Sequence, residues 1–367
     1  MDLSTIVLVV VATALVFDFT NGFHDTANAM ATSIATGALP PKVAVGVSAV
    51  LNLVGAFLSV EVARTISSGI VDEAGIGPEV VFGGLVGAVV WNLVTWLLGL
   101  PSSSSHALFG GLVGSTWVAA GADAVRFGTV VEKVLVPAVA SPLIAGAVAA
   151  VATYLAYAIT RRTSESVRTR GFRFGQIASA SLVSLAHGTN DAQKTMGVIT
   201  LTLITAGALP AGARPPVWVV IAAGLAIALG TYLGGWRIIR TMGRGITDIR
   251  SPQGFAAETG AAAVILTSSQ LGFALSTTHV CAGGVIGAGV GRRAGEVRWG
   301  VAGRMALAWL LTLPAAAVVG ALAGEVARQG TAGAVAVALV AAGVGAGCYA
   351  ASRRAPVGAH NVNEVPA

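Results

Sequence analysis

A chain of 367 residues that is 55% hydrophobic and only 10% charged, with a mean hydropathy of +0.80, is not a water-soluble enzyme, because soluble domains carry about a quarter charged residues. The formal charge of +6 and pI near 9.9 come almost wholly from arginines clustered between apolar runs, the lysines being only Lys42, Lys133 and Lys194. That pattern reads as membrane topology rather than as a nucleic-acid surface.

Apolar runs of about 18 residues or more recur along the chain, each long enough to cross about 30 Å of hydrocarbon. They are continuous rather than alternating, which excludes a β-barrel and gives an all-α polytopic membrane protein. The chain starts Met1-Asp2 with no basic n-region, so the first run is expected to be retained rather than cleaved. Residues 3–38 read as a crossing interrupted at Asn21-Gly22, 43–60 as a second, 80–120 as a there-and-back hairpin, and 131–159 as a third crossing. The second half follows the same plan. Residues 174–206 form a crossing interrupted at Gly188-Thr189-Asn190, 217–236 another, and 256–273 with 276–290 a hairpin. A last crossing completes this half, and 332–350 adds a helix without a counterpart. The count is seven crossings plus two hairpins, rising to eleven if the hairpins span. Arginine clusters at 161–173, 237–250 and 292–304, with Arg353 and Arg354, belong in the cytoplasm. The acidic loop of Asp72, Glu73 and Glu79 is assigned to the outside.

Three crossings per half is an odd number, so the halves have inverted topology, and two motif pairs support the repeat directly. Asn21-Gly-Phe-His-Asp25-Thr-Ala-Asn-Ala-Met30 aligns with His187-Gly-Thr-Asn-Asp191-Ala-Gln-Lys-Thr-Met196, each followed by Gly-Ala-Leu-Pro. Ser103-Ser-Ser-His106 followed by Gly110-Gly111-Leu-Val-Gly114 aligns with Ser276-Thr-Thr-His279 followed by Gly283-Gly284-Val-Ile-Gly287. The expected organisation is 1–160 as the first inverted repeat, 161–173 as a basic cytoplasmic linker, 174–325 as the second repeat and 326–367 as an extra helix and tail.

Ionisable groups within membrane segments are costly and so mark function. Here His24, Asp25, His106, His187, Asp191, Lys194 and His279 all fall in the paired motifs. The interruptions at Asn21-Gly22 and 188–190 are expected to create helix ends, with Asn190 or Asp191 as caps, whose free N–H groups suit a multiply charged oxyanion. Hydroxyls at the hairpin tips, in Ser103-Ser104-Ser105 and Ser276-Thr277-Thr278, donate without adding fixed charge. Lys194 supplies a point charge, and Asn28 and Gln193 supply neutral donors. A carboxylate repels an anion unless it holds a cation, so Asp25 and Asp191 are the places for a coupling ion: Na⁺ or a divalent metal held by carboxylate, amide and backbone oxygens, or a proton on the carboxyl. The bland reading of the Ser/Thr runs is interhelical packing, which their repetition disfavours. Repeated Gly-x-x-x-Gly spacings are given packing only. Asp18, Glu61 and Arg64 read as snorkelling near helix ends, Asp18 being the one that could face the site. Lys194-Thr195 lacks the glycine of a phosphate-binding loop, and no nucleotide site is present. Cys281 and Cys348, in apolar segments, suggest neither a disulfide framework nor a metal cluster.

At these motifs the sequence resembles the inorganic phosphate transporter (PiT) family of secondary carriers. The family's Gly-x-Asn-Asp signature is matched by Gly22-Phe-His-Asp25-Thr-Ala-Asn28 and by Gly188-Thr-Asn190-Asp191-Ala-Gln193-Lys194. Its Pro-x-Ser-Ser/Thr-Ser/Thr-His signature is matched by Pro101-Ser-Ser-Ser-Ser-His106 and, with Leu275 in place of Pro, by Leu275-Ser-Thr-Thr-His279. The Asn-Gly-Phe-His-Asp form and short central loop are most similar to bacterial low-affinity phosphate permeases. The resemblance implies a non-enzymatic symporter of the cytoplasmic membrane, a homodimer without cofactor, taking up phosphate, free or as a metal-phosphate complex, with H⁺ or Na⁺. Asn28, Ser104, Ser105, Asn190, Lys194, Thr277 and Thr278 are the substrate candidates. Asp25, Asp191 and His24 are the coupling-ion candidates, with Asp25 and Asp191 as the ligands of a metal. A sulfate permease of the same fold shares every motif, but an ionised aspartate facing the anion can accept the proton of HPO₄²⁻ and so favours phosphate. An anion channel is the alternative of a different class.

Overall fold

A computed structural model describes residues 3–72 and 76–364; Met1, Asp2 and Glu73 of the reading above lie outside the described residues. Described secondary structure is helical apart from an isolated bridge between Val71 and Val125. The first half contains α1 (Leu3–Ala35), α2 (Pro41–Gly55), α3 (Glu61–Gly69), α4 (Pro78–Leu98), α5 (Ser104–Ala120), the short α6 (Phe127–Val130) and α7 (Val136–Ile159). The second contains α8 (Glu165–Thr205), α9 (Val217–Leu233), α10 (Trp236–Arg240), α11 (Ser251–Gln270), α12 (Thr277–Arg293) and α13 (Trp299–Ala327), followed by α14 (Thr331–Ser352). The order long helix, broken pair, hairpin, long helix thus occurs twice. Punctuation recurs with it: Gly37 and Gly207, in the two Gly-Ala-Leu-Pro sequences, take positive φ of 73° and 72° just beyond α1 and α8, the left-handed stop that glycine supplies without a Cβ penalty.

The two halves interlock. α1 packs on α9 and α8 on α2; α3 lies against α8 and α10 against α1; α7 runs along α12 and α13 along α5. Small residues permit this close approach, since Gly83 sits against Gly324, Gly110 against Leu313 and Gly287 against Gly146.

Two expectations fail here. α1 and α8 are unbroken helices of 33 and 41 residues. The glycines read as interruptions are packing contacts instead: a Cβ on Gly22 would collide with the Ile227 carbonyl of α9, and one on Gly188 with the backbone of Asn52 in α2. Breaks occur where neither motif lies, between α2 and α3 and at Gly234-Gly235, where α9 and the segment from Trp236 to Gly245 meet at 61°. Residues 165–173, assigned to the linker, form the first turns of α8, leaving only a short connection after α7.

Five described helical segments are long and apolar enough to cross a membrane: Thr5–Ala35, Pro78–Leu98, Phe127–Ile159, Trp299–Ala327 and Thr331–Ser352; the bent pair at Gly234 makes a sixth. α8 does not join them on composition because its middle is polar. His187, Thr189, Asn190, Asp191, Gln193, Lys194 and Thr195 are nevertheless buried. Apolar surface elsewhere shields this stretch, which positions the site.

Candidate functional site

α1 and α8 pass each other antiparallel, so that Asn21 faces Asp191 while Asp25 faces His187. The Asn21 amide donates to Asp191 Oδ2 at 3.3 Å. His187 Nε2 lies 4.0 Å from Asp25 Oδ2 and 3.6 Å from Asp191 Oδ2. One ligand atom each from Asp25, His187 and Asp191 can be chosen with all three within 4.8 Å of one another, and all three residues are buried. The imidazole orientation follows from a residue of α2. The Asn52 amide donates to Thr231 Oγ1 at 2.8 Å, leaving its Oδ1 to accept from His187 Nδ1 at 3.2 Å. With Nδ1 protonated, the Nε2 lone pair of the neutral ring faces both carboxylates and has no hydrogen-bond partner. That is a place for a cation or a proton.

Asp25 has a second neighbour, His24, whose Nδ1 is 2.6 Å from Oδ1. His24 Nε2 lies 3.1 Å from Thr95 Oγ1 and 3.3 Å from Ser102 Oγ. Thr95 donates to the Trp91 carbonyl and Ser102 donates to Thr95. Both oxygens are therefore acceptors toward His24, which assigns a hydrogen to Nε2. The short Nδ1–Asp25 contact then needs a proton of its own, carried by the imidazolium or by the carboxyl. Asp191 is balanced differently, by Lys194 Nζ at 2.8 Å from Oδ1. Both of these groups are fully buried.

The hairpin tips close the site. Ser103 and Ser276 cap α5 and α12 by accepting from the backbone N–H of His106 and His279 at 3.1 and 3.2 Å. The residues that follow point to the aspartates and their helices. Ser104 donates to Asp25 Oδ1 at 3.2 Å, and the Asn28 amide donates to Thr277 and Thr278 hydroxyl oxygens at 3.3 and 3.0 Å. Ser105 donates to the Leu275 carbonyl at 3.2 Å, joining one tip to the other. The N-terminus of α5 thus meets Asp25 through Ser104, and that of α12 meets α1 through Asn28. The helix N-termini expected within α1 and α8 are found at the hairpin tips instead.

Not every candidate is brought in. The Asn190 amide is spent on Ser269 Oγ at 2.9 Å and the Phe273 carbonyl at 3.3 Å, anchoring the second hairpin, although its Oδ1 has no partner. The Gln193 carbonyl oxygen accepts from Val62 and Ala63 N–H at 2.8 and 3.3 Å, satisfying the start of α3, while its amide donates to the Thr189 carbonyl of its own helix. The four motif histidines divide. His24 and His187 stand at the aspartates. His106 and His279 pack edge to face at 4.8 Å, with His279 stacked on Trp309 at 4.2 Å. Asp18 is fully buried near the middle of α1, not snorkelling, whereas Glu61 and Arg64 are exposed and paired at 3.4 Å. Sequence reasoning marked His187 as a functional candidate without a role, read Asn21 only as part of a helix interruption, and passed over Asn52. His187 carried a signal, since it occupies the place of Asn21 in the aligned motif; Asn52 carried none.

The sequence profile described as "Phosphate transporter family" matches residues 21–320. A protein of Mycobacterium leprae described as "Probable low-affinity inorganic phosphate transporter" is 58% identical over 364 residues, covering 98% of this chain and 87% of that protein. Proteins with the same description from Mycobacterium tuberculosis and Rhizobium meliloti are 62% and 45% identical over 317 and 318 residues. These alignments cover 86% and 85% of this chain and 76% and 93% of the relatives. A solved structure titled "The sodium-dependent phosphate transporter" superposes with a TM-score of 0.74 at 24% identity, covering 89% of this chain and 99% of that one, and so shares the fold.

Proposed function

The chain belongs to the phosphate transporter family, a family of carriers rather than enzymes, and from that premise we propose that it takes up inorganic phosphate across the cytoplasmic membrane by symport with a cation. The observation that carries this reading is the meeting of Asp25, His187 and Asp191 from both halves beside the N-termini of α5 and α12. An oxyanion binds at such helix ends through N–H groups and through the hydroxyls of Ser104, Ser105, Thr277 and Thr278, with the Asn28 amide and Lys194 completing the donors. Two carboxylates beside a doubly charged anion are mutually repulsive, so the loaded site needs compensating positive charge. A cation bound at Asp25, Asp191 and the His187 lone pair provides it, and couples its own movement to that of phosphate.

The proton count at His24 favours H⁺ as the coupling ion. The second half has Asn190 at the matching position, so the proton-carrying pair belongs to one half only. An ionised carboxylate here also accepts a hydrogen bond from HPO₄²⁻, which sulfate lacks. The interlocked, twice-repeated order of helices supports inverted repeats rocking around a central site, with the arginine-rich ends on the cytoplasmic side. Residues 1–160 and 174–325 are the working halves, the site is complete within one chain, and the carrier is read as a homodimer on family resemblance.

Labelled phosphate uptake into proteoliposomes tests the reading, with a pH gradient, a Na⁺ gradient or neither, and with excess sulfate as competitor. Accumulation driven by the pH gradient and indifferent to sulfate is expected. A Na⁺ requirement reassigns the carboxylates to Na⁺ ligation. Loss to sulfate changes the substrate, and conductance without accumulation makes the protein a channel.

A further inference from the structure

Among the described residues, two carboxylates besides Asp25 and Asp191 are buried, and they differ in how they are satisfied. Glu258 of α11 accepts from Ser179 at 2.6 Å, Ser33 at 3.0 Å and the Gln176 amide at 3.5 Å, and also from Thr32. Asp18 of α1 is 0% exposed, and neither of its carboxylate oxygens has a hydrogen-bond partner. The Asn21 and Thr195 side chains are its polar neighbours, and Asn21 Oδ1 and Thr195 Oγ1 are themselves buried without a partner among the described residues. The charged groups acting on Asp18 are Asp191 and Lys194 of α8. Lys194 is already committed to Asp191 at 2.8 Å, so Asp18 has no ion-pair partner of its own.

A carboxylate buried this deeply with no basic group of its own is costly to keep ionised. Membrane segments retain such a group where it holds an ion. Asp18 precedes Asp25 by seven residues, two helical turns on the same face, or about 10 Å along the axis. The other end of α1 lies at the arginine-rich face, since Arg173 donates to the Ala38 carbonyl at 3.4 Å. Asp18 thus sits on the side of the central site away from the arginines. Asp18 and its neighbours Asn21 and Thr195 carry four buried oxygens without a partner among the described residues, two of them on one carboxylate, and oxygen is the donor that suits a hard cation.

We propose that Asp18, Asn21 and Thr195 form a second monovalent-cation site next to the central one. It is loaded by Na⁺ among these oxygens or by H⁺ on the carboxyl, and adds one cation to each transport cycle. The Asn21 amide, which donates to Asp191 Oδ2, links the two sites directly. The number of cations per cycle rests on the symport reading above, whereas occupancy of the site does not.

The test uses the full-length protein with Asp18→Asn and Thr195→Val, and with Asp18→Glu should the asparagine variant not fold. Equilibrium binding of radiolabelled Na⁺ to purified protein, and the carboxylic C=O stretch in infrared difference spectra, report occupancy without transport. Na⁺ binding that falls by one ion per chain in Asp18→Asn assigns Na⁺. No such change, with loss of one carboxylic band, assigns H⁺. In proteoliposomes Asp18→Asn is expected to lower the cation-to-phosphate ratio by one, read from the reversal potential. Thr195→Val, which removes one oxygen, is expected to raise the half-saturating cation concentration about tenfold. Phosphate binding at saturating cation is expected to persist in both. Unchanged Na⁺ stoichiometry together with an unchanged carboxylic band overturns the site. An occupied site in a protein that moves no cation with phosphate overturns the symport reading instead.

Discussion

Asp25 in the first half has an imidazole 2.6 Å away, whereas Asp191 in the second has an ammonium at 2.8 Å. The two stand at matching positions of one repeated motif and share His187 between them. Lys194 presents Asp191 with the compact point charge of an amine, while His24 presents Asp25 with an imidazole, the side-chain type suited to proton exchange. The repeat thus sets a fixed ion pair opposite an exchangeable one. Coupling is expected to reside on the Asp25 side, and anchoring of the anion and of the fold on the Asp191 side.

The largest effect is expected from Asp25→Asn, which should abolish concentrative uptake while the purified protein remains monodisperse and as thermally stable as wild type. Asp191→Asn should also abolish uptake, but with loss of stability, since Lys194 would be buried without its carboxylate at a cost of about 3–5 kcal/mol. The double change Asp191→Asn with Lys194→Met should recover much of the melting temperature and none of the uptake. Equal thermal stability of the two single variants would erase the distinction between the halves. Lys194→Met alone should weaken phosphate binding on the order of tenfold, the loss of one charge-assisted hydrogen bond, measured by calorimetry in detergent. His24→Asn, which installs the residue of the second repeat, should reduce pH-driven accumulation and leave phosphate binding nearly intact; unaltered pH dependence would take the proton away from this pair. Smallest of all, Ser104→Ala and Thr278→Val should each cost about 1 kcal/mol, a few-fold in phosphate affinity.

Much of this arrangement is legible in the chain. Aligning His187 to Met196 with Asn21 to Met30, and Ser276 to His279 with Ser103 to His106, exposes the repeat, the two hairpins and the pair of aspartates. What it hides depends on the partner half. Gly22 and Gly188 look like helix breakers because a one-dimensional pattern cannot distinguish a turn from a close crossing; only the neighbouring helices α9 and α2 decide. Gln193 looks like a donor until the start of α3 claims its oxygen. His106 and His279 share a motif with the hydroxyls, yet they belong to a different layer beside Trp309, because successive residues on a helix point to different faces. The orientation of the His187 ring is set by Asn52, 135 positions away.

The most direct measurement is phosphate-driven proton movement into proteoliposomes carrying a pH-sensitive dye, with wild type and Asp25→Asn compared at equal Na⁺ on both sides. Asp25 coupling predicts acidification of the lumen with phosphate influx in wild type and none in the variant. Phosphate accumulation in wild type without proton movement, or proton movement persisting in Asp25→Asn, would contradict it.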